Sequence, residues 1–269
     1  MQSIANGTPI MKMGSDARNL GRFDLHLSRA TGRMTSLDFG VSPITADTPD
    51  DPATAKVAAD FELKLMDALG QPIGRTTNAL DALQITNRGQ ETNMADLVTD
   101  AYRTYTGADA AIINGGAIRS NSTYGPGPLT RRDIMAILPY QTPVVAVKIP
   151  GRTLRQALEY GLAKISEDRE EGRFPQVSGI RYTFDGRKPP GSRLVEITVG
   201  GKGLEDGRTY ILAVDTYLMG GGDGYGMLKG LEFLRSPEEA NVTSAVVIDF
   251  IDGKTIAPAT DGRIKRLDP

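Results

Sequence analysis

The chain has 269 residues, 39% hydrophobic and 24% charged, and its 31 Lys+Arg against 33 Asp+Glu leave a net charge of −2 at pH 7. This is a globular composition, longer than the usual single domain of roughly 100–200 residues, and it disfavours a general nucleic-acid-binding surface. No apolar run approaches the roughly 18 residues that span a bilayer, cysteine is absent and His26 is the only histidine. Thiolate chemistry, disulfides and a multi-histidine metal centre built from this chain are therefore excluded.

In chain order, GTPIMKMGSDARNLGRFDLHLSRATGRMTSLDFGV alternates apolar and polar residues on either side of Gly21 and Thr31–Gly32, which predicts two or three antiparallel strands. The start, MQSIANGTPIMKMG, lacks the basic start and apolar centre of an export signal. A connector, SPITADTPDDPAT, leads into a helix with Asp51 as its cap, Pro52 in its first turn, a stripe of Val57, Phe61, Leu65 and Leu69, and a stop at Gly70.

From Gln71 onward helices and strands mix. Met94, Leu97, Val98, Ala101, Tyr102 and Tyr105 recur at helical spacing before Gly107. AAII at 110–113 is a short buried strand running into Asn114-Gly115-Gly116. Thr130 to Asp133 forms a capping box with the shorter acid, opening a helix that Pro139 ends. A strand at 144–149 precedes a helix carrying Leu154, Leu158, Leu162 and Ile165, and further strands are expected at 177–184, 194–199 and 209–214. Ser236-Pro237-Glu238-Glu239 predicts the start of a last helix through about 251. Because strands and helices do not alternate strictly, the expected class is α+β: a mixed sheet flanked by helices, with a short N-terminal β segment.

Several runs carry candidate chemistry. Asn114-Gly115-Gly116-Ala117-Ile118-Arg119 leaves a buried strand through two glycines, so Asn114 and Arg119 can be held at the mouth of a sheet; a plain β-turn with a solvated arginine has the same local signature. Met219-Gly220-Gly221-Gly222-Asp223-Gly224-Tyr225 follows ILAVDTYL, read as an apolar strand, and surrounds one carboxylate with backbone that a ligand can approach; a flexible hairpin turn has the same local signature. Tyr140 and Tyr217 stand at element ends beside polar loops, placed to stack on a flat heterocycle or to edge the core. Arg88, ahead of a helix N-terminus, is placed to hold an anion or to lie at the surface.

In order, Arg88…Asn93-Met94, Asn114-Gly-Gly-x-Ile-Arg119, Leu138-Pro139-Tyr140, Gln176-Val-Ser-Gly179 and Gly220-Gly-Gly-Asp223-Gly resemble the C-terminal domain of the 5′-nucleotidase family over about residues 71–266. Gly14-Ser-Asp-Ala-Arg-Asn-Leu-Gly21-Arg resembles the closing strands of that family's preceding calcineurin-like metallophosphatase domain. The resemblance implies a metallophosphatase remnant over 1–42, a connector and linker helix over 43–70, and a substrate-binding domain over 71–269. It implies a nucleotide or nucleoside ligand with no nucleic acid and no membrane span, Tyr140 and Tyr217 as base clamp, and Asp223 on the ribose. Asn114 would touch base or ribose, and Arg88 and Arg119 the phosphate.

Thr142 stands where some bacterial members have a base-contacting asparagine. The family's two divalent metal ions and its Asp-x-His, Gly-Asn-His and Gly-His-x-His motifs belong upstream of this chain, which implies a missing partner domain, no catalytic or metal-binding residue here, and no activity for this chain alone. His26 is then a bystander. The family's usual export implies a periplasmic or extracellular location. A thiosulfohydrolase-like enzyme of the same superfamily and a non-catalytic ligand-binding module are the alternatives.

Overall fold

The computed structural model describes residues 2–5, 8–14, 17–165, 171–234 and 236–268. The chain divides into two compact units, Met1–Leu63 and Lys64–Pro269. The first holds two hairpins, Gln2–Ala5 with Thr8–Met11 and Asn19–Leu27 with Met34–Pro43. Ser15 and Asp16, within the run that resembles a metallophosphatase, lie outside the described residues.

Gly21 does not break the β-structure as its sequence context suggests; it sits inside the strand Asn19–Leu27. A Cβ there would lie 2.7 Å from Met13 Cγ, so the missing side chain makes room for Met13. His26 faces Ser36 in register, with Nε2 3.2 Å from Asp38 Oδ2.

The helix Pro52–Leu69 starts as expected, with the Thr54 amide and hydroxyl both donating to Asp51 Oδ1 at 2.8 Å. Its apolar stripe is not buried: Val57, Phe61 and Leu65 are exposed, and the helix has no buried residue. Periodicity reports which face is able to bury, not that something covers it.

The second unit is built on a four-stranded mixed sheet in the order Val144–Pro150, Thr209–Asp215, Ala110–Asn114, Pro175–Ser178. The middle pair is parallel and both outer pairs are antiparallel. Strand alternation sends Ala110 and Ile112 to one face and Ala111 and Ile113 to the other, and each face carries its own core. On the first pack Leu154, Leu158 and Leu162 of the helix Gly151–Leu162; on the second pack Met94, Val98 and Tyr102 of Asn93–Thr106 and Val247 and Ile251 of Thr243–Ile251. A strand buried on both sides has no reason to alternate polarity, which is why AAII is uniformly apolar. The capping box at Thr130 and Asp133 and the left-handed Gly107 (φ 67°) form as the sequence predicts.

Three boundaries differ. The run 177–184 is two strands in different sheets, Pro175–Ser178 and Ile180–Phe184. Gly179 turns the chain between them at φ 70°, where a Cβ would stand 2.2 Å from the Asp109 carbonyl oxygen. ILAVDTYL stops being strand at Asp215, and Thr216–Met219 is one helical turn. The Ser236 signal opens only the 3-10 turn Pro237–Glu239, and the last helix begins at Thr243. Between them Asn241 is held extended, its carbonyl accepting from the Val144 amide at 2.9 Å and its amide donating to Tyr105 Oη at 2.8 Å. The edge strand needs that partner, and its demand overrides the local helix signal.

Candidate functional site

Strand register decides where the site lies. Because Thr209–Asp215 and Ala110–Asn114 run parallel, Asn114 and Asp215 leave the sheet at the same end. The antiparallel pairings Val144 with Asp215 and Pro175 with Asn114 bring the segments before those two strands to that end as well. Four separate stretches, around Asn114–Arg119, Tyr140–Thr142, Gly172 and Asp215–Asp223, thus converge by topology alone, as is general at the carboxyl ends of strands in α/β sheets.

They line a cavity of about 380 Å³. Arg88, Asn114, Arg119, Tyr140, Tyr217 and Asp223, the six residues singled out in the sequence, all stand on its wall. Tyr140 and Tyr217 keep 54% and 46% of their surface exposed, so both rings are available to a ligand. The Arg119 guanidinium lies 5.9 Å from the centre of the Tyr140 ring, within cation–π range.

Asp223 is the most constrained of the six. It is a non-glycine residue in the left-handed region (φ 49°), between Gly221 at φ 85° and Gly224 at φ 87°. Tyr217 Oη donates to Asp223 Oδ1 at 2.7 Å and lies 3.1 Å from the Asp223 amide nitrogen; Asn114 Nδ2 donates to Oδ2 at 2.6 Å, and Tyr160 Oη to the carbonyl at 3.1 Å. Burial first, and the Asp223 carboxylate next, push the Tyr217 phenol above its ordinary value, so it stays a donor. Gly222 fits under the ring: a Cβ there would be 2.4 Å from Tyr217 Cε1. Asn114 is itself only 3% exposed, and its Oδ1 has no hydrogen-bond partner. It therefore braces Asp223 with one atom, while the other is buried behind the cavity wall.

Arg88 follows the short helix Gln84–Asn87 and caps its C-terminus. Its loop is fixed by the fully buried Gln176, whose Nε2 donates to the carbonyls of Asn87 at 2.9 Å and Gln90 at 2.7 Å. Gly115 packs against the same loop, since a Cβ would sit 2.0 Å from the Asn87 oxygen. The expected help from the next helix N-terminus is absent from the cavity wall: Thr92 Oγ1 caps that helix by accepting from the Ala95 amide, and Asn93 turns to Asp81 and to the carbonyls of Ala79 and Pro258.

Sequence reasoning missed Asp215, Thr243 and Gly172, which also line the cavity. Asp215 had a readable signal as the acid before a helical turn, and its Oδ1 accepts from the Leu218 amide at 2.9 Å. Burial, reinforced by Asp223, pushes its carboxyl up to about 6 against the amides of Leu218 and Tyr217. Gly172 gave no signal; its value is that the Gly116 amide donates to its carbonyl at 2.7 Å, with no side chain on either residue.

Residues 72–230 match the family model described as 5′-nucleotidase, C-terminal domain. The chain belongs to this family. It is 28% identical over 260 residues to the trifunctional nucleotide phosphoesterase protein YfkN of Bacillus subtilis, covering 92% of this chain and 17% of that protein. It is 32% identical over 226 residues to a snake venom 5′-nucleotidase of Gloydius brevicauda, covering 76% of this chain and 38% of that one. The crystal structure of a 5′-nucleotidase precursor from Thermus thermophilus superposes with a TM-score of 0.76 at 26% identity, over 93% of this chain and 50% of that one. The chain thus spans half or less of the length of these relatives. As a 5′-nucleotidase C-terminal domain, it has the mixed-sheet α+β fold that the sequence predicts.

The described residues do not fit a two-metal phosphatase centre at this cavity. The acids there are Asp215 and Asp223, and His26 belongs to the N-terminal hairpin. Glu91, Asp96 and Asp261 place carboxylate oxygens within 4.8 Å of one another elsewhere in the unit, but the Arg263 guanidinium already sits among them, Nε 3.3 Å from Asp96 and 3.1 Å from Asp261.

Proposed function

We propose that this cavity binds the nucleoside part of a nucleotide and that the intact protein hydrolyses nucleotide phosphate esters at a metal centre on a preceding metallophosphatase domain, of which residues 1–42 are the closing strands. The observation that carries the reading is the convergence of two exposed tyrosine rings, a braced carboxylate and two guanidinium groups on one cavity. A flat base stacks between Tyr140 and Tyr217, worth roughly 1–3 kcal/mol per aromatic contact. Asp223, oriented by Tyr217 and Asn114, accepts from ribose hydroxyls, and Arg88 and Arg119 neutralise the phosphate end. Asn114 touches the base or ribose at the cavity wall.

In this reading the domain binds and orients substrate, and the two divalent metals supply water activation from the other domain. The family's habit of export makes a periplasmic or extracellular location part of the proposal; among the described residues no helix is long and apolar enough to cross a membrane. A likeness to the sulfate thiohydrolase SoxB of Thermus thermophilus, TM-score 0.61 at 20% identity, reaches the fold alone. The paired rings favour a heterocycle over a sulfur-acid carrier.

Titration of this chain with adenosine and AMP, followed by tyrosine and methyl resonances, tests the site. Binding is expected at the weak end of the micromolar-to-millimolar range, roughly 8 to 4 kcal/mol, because the metal contacts are on the other domain. Tyr217→Ala and Asp223→Ala should weaken both ligands, and Arg119→Ala should weaken AMP more than adenosine. If Tyr217→Ala leaves binding unchanged while Arg119→Ala abolishes it for both, the cavity is an anion pocket and the thiosulfohydrolase-like reading takes its place.

A further inference from the structure

Asp215 is only 3% exposed, lines the cavity two residues before Tyr217, and is paired in register with Val144, next to the Tyr140–Thr142 segment. Burying a carboxylate is expensive unless a cation or several donors answer it. Here the answer is partial. Oδ1 accepts the Leu218 amide, and the Tyr217 amide adds a smaller stabilisation, but the other charge acting on the group is the like charge of Asp223. Across the helix Asn93–Thr106 the group that faces it is the Tyr102 hydroxyl, which is buried and has no hydrogen-bond partner.

The surroundings define what would complete the site. Thr243 Oγ1 donates to the Tyr140 carbonyl at 2.7 Å, and the Thr216 amide donates to the Pro143 carbonyl at 3.0 Å. These bonds tie together the segments that carry the two rings, and Thr142, Asp215 and Thr243, which belong to those segments, line the cavity wall. On the reading that the two rings clamp a base, that wall meets the base edge. We propose that Asp215 is the base-selecting residue of the cavity and that it favours guanine.

The reason is donor geometry. A carboxylate only accepts, and guanine alone among the common bases presents two adjacent donors on its pairing edge, N1–H and the N2 amine. Adenine and cytosine place a ring acceptor beside their amine, and uracil flanks its single N–H with two carbonyls, so each sets a lone pair against the carboxylate. A bidentate pair of this kind is worth roughly 1–3 kcal/mol of discrimination against the wrong base, or about 5- to 150-fold.

The test is titration of this chain with guanosine, inosine and adenosine, wild type beside Asp215→Asn. Asparagine is as good a helix cap as aspartate, so the Leu218 bond survives and the fold is preserved. Wild type should bind guanosine at least about fivefold more tightly than adenosine, with inosine, which lacks the N2 amine, in between; Asp215→Asn should remove the preference, weakening guanosine while adenosine, whose ring acceptor then meets an amide donor, is not weakened. As the pH is lowered through about 6, protonation of Asp215 should weaken guanosine but not adenosine. Equal affinities for the three nucleosides, unmoved by Asp215→Asn, overturn the role of Asp215 and leave the nucleoside reading standing. Absence of binding by all three at millimolar concentration overturns both.

Discussion

At the scale of single residues, the site is a set of braces around Asp223. Tyr217 has two duties, a stacking face and a hydroxyl bonded to the Asp223 carboxylate at 2.7 Å, and the two are separable. Tyr217→Phe should retain base stacking but release Asp223, so the difference in affinity between a nucleoside and its 2′,3′-dideoxy counterpart should shrink several-fold in titrations of the two. Gly222→Ala should do the reverse. Its Cβ would overlap the ring at 2.4–2.6 Å, and a half-exposed tyrosine swings away more readily than backbone moves. Thermal unfolding should then shift little while nucleoside binding falls about as far as in Tyr217→Ala. A midpoint loss as large as that of a core truncation, on the order of 2–5 kcal/mol, would show that Gly222 serves the fold and not the ring. The glycine run was visible in the sequence as permissive backbone; that Gly222 makes room for a side chain five residues earlier depends on the turn Thr216–Met219, which the apolar run ILAVDTYL disguised as strand.

At the scale of elements, the legible parts are those whose local chemistry agrees with their tertiary place. The Thr130–Asp133 box, the Gly107 stop and the doubly buried strand at Ala110 each carry their own signal. The misplaced boundaries are those set by distant partners. Asn241 stays extended because the Val144 amide needs an acceptor, and Gly179 divides two strands because Asp109 lies against it. Gln176 belongs to the same class: its motif was readable, but its work was not, since the carbonyls it holds are 86 and 89 residues away in sequence. Replacing it with leucine strips a buried donor from the carbonyls of Asn87 and Gln90, at a cost of about 1–3 kcal/mol in chemical unfolding. The released loop carries Arg88, so Gln176→Leu should also weaken AMP several-fold while adenosine changes little. Equal weakening of both ligands would mean that the loop positions no phosphate-binding group.

At the scale of the whole second unit, a charge network fastens the C-terminal segment to the helix Asn93–Thr106. Arg263 bonds Asp100 at 2.9 Å and Asp261, and lies 3.3 Å from Asp96, while Glu91 accepts the amides of Asp261, Gly262 and Ile264. Asp96 is 2% exposed, and burial, opposed by Arg263 and assisted by Glu91 and Asp261, pushes its carboxyl from 3.8 up to about 8. The folded chain therefore keeps a proton that the unfolded chain releases near 4, and stability falls as pH rises through the interval between the two values. Asp215, held to about 6, acts with the same sign but only in the lower half of that interval. Among the raised acids of the described residues, Asp96 alone has its value above 6 and below the tyrosines. Asparagine imitates the protonated acid, so Asp96→Asn should flatten the decline of unfolding free energy above pH 6 by an amount on the order of a few kcal/mol. Asp215→Asn should flatten it only below. Denaturant unfolding at half-unit steps from pH 4 to 9 gives both slopes. If wild type and Asp96→Asn decline in parallel above pH 6, Asp96 is ionised in the folded chain, and the attraction of Arg263 has outweighed its burial.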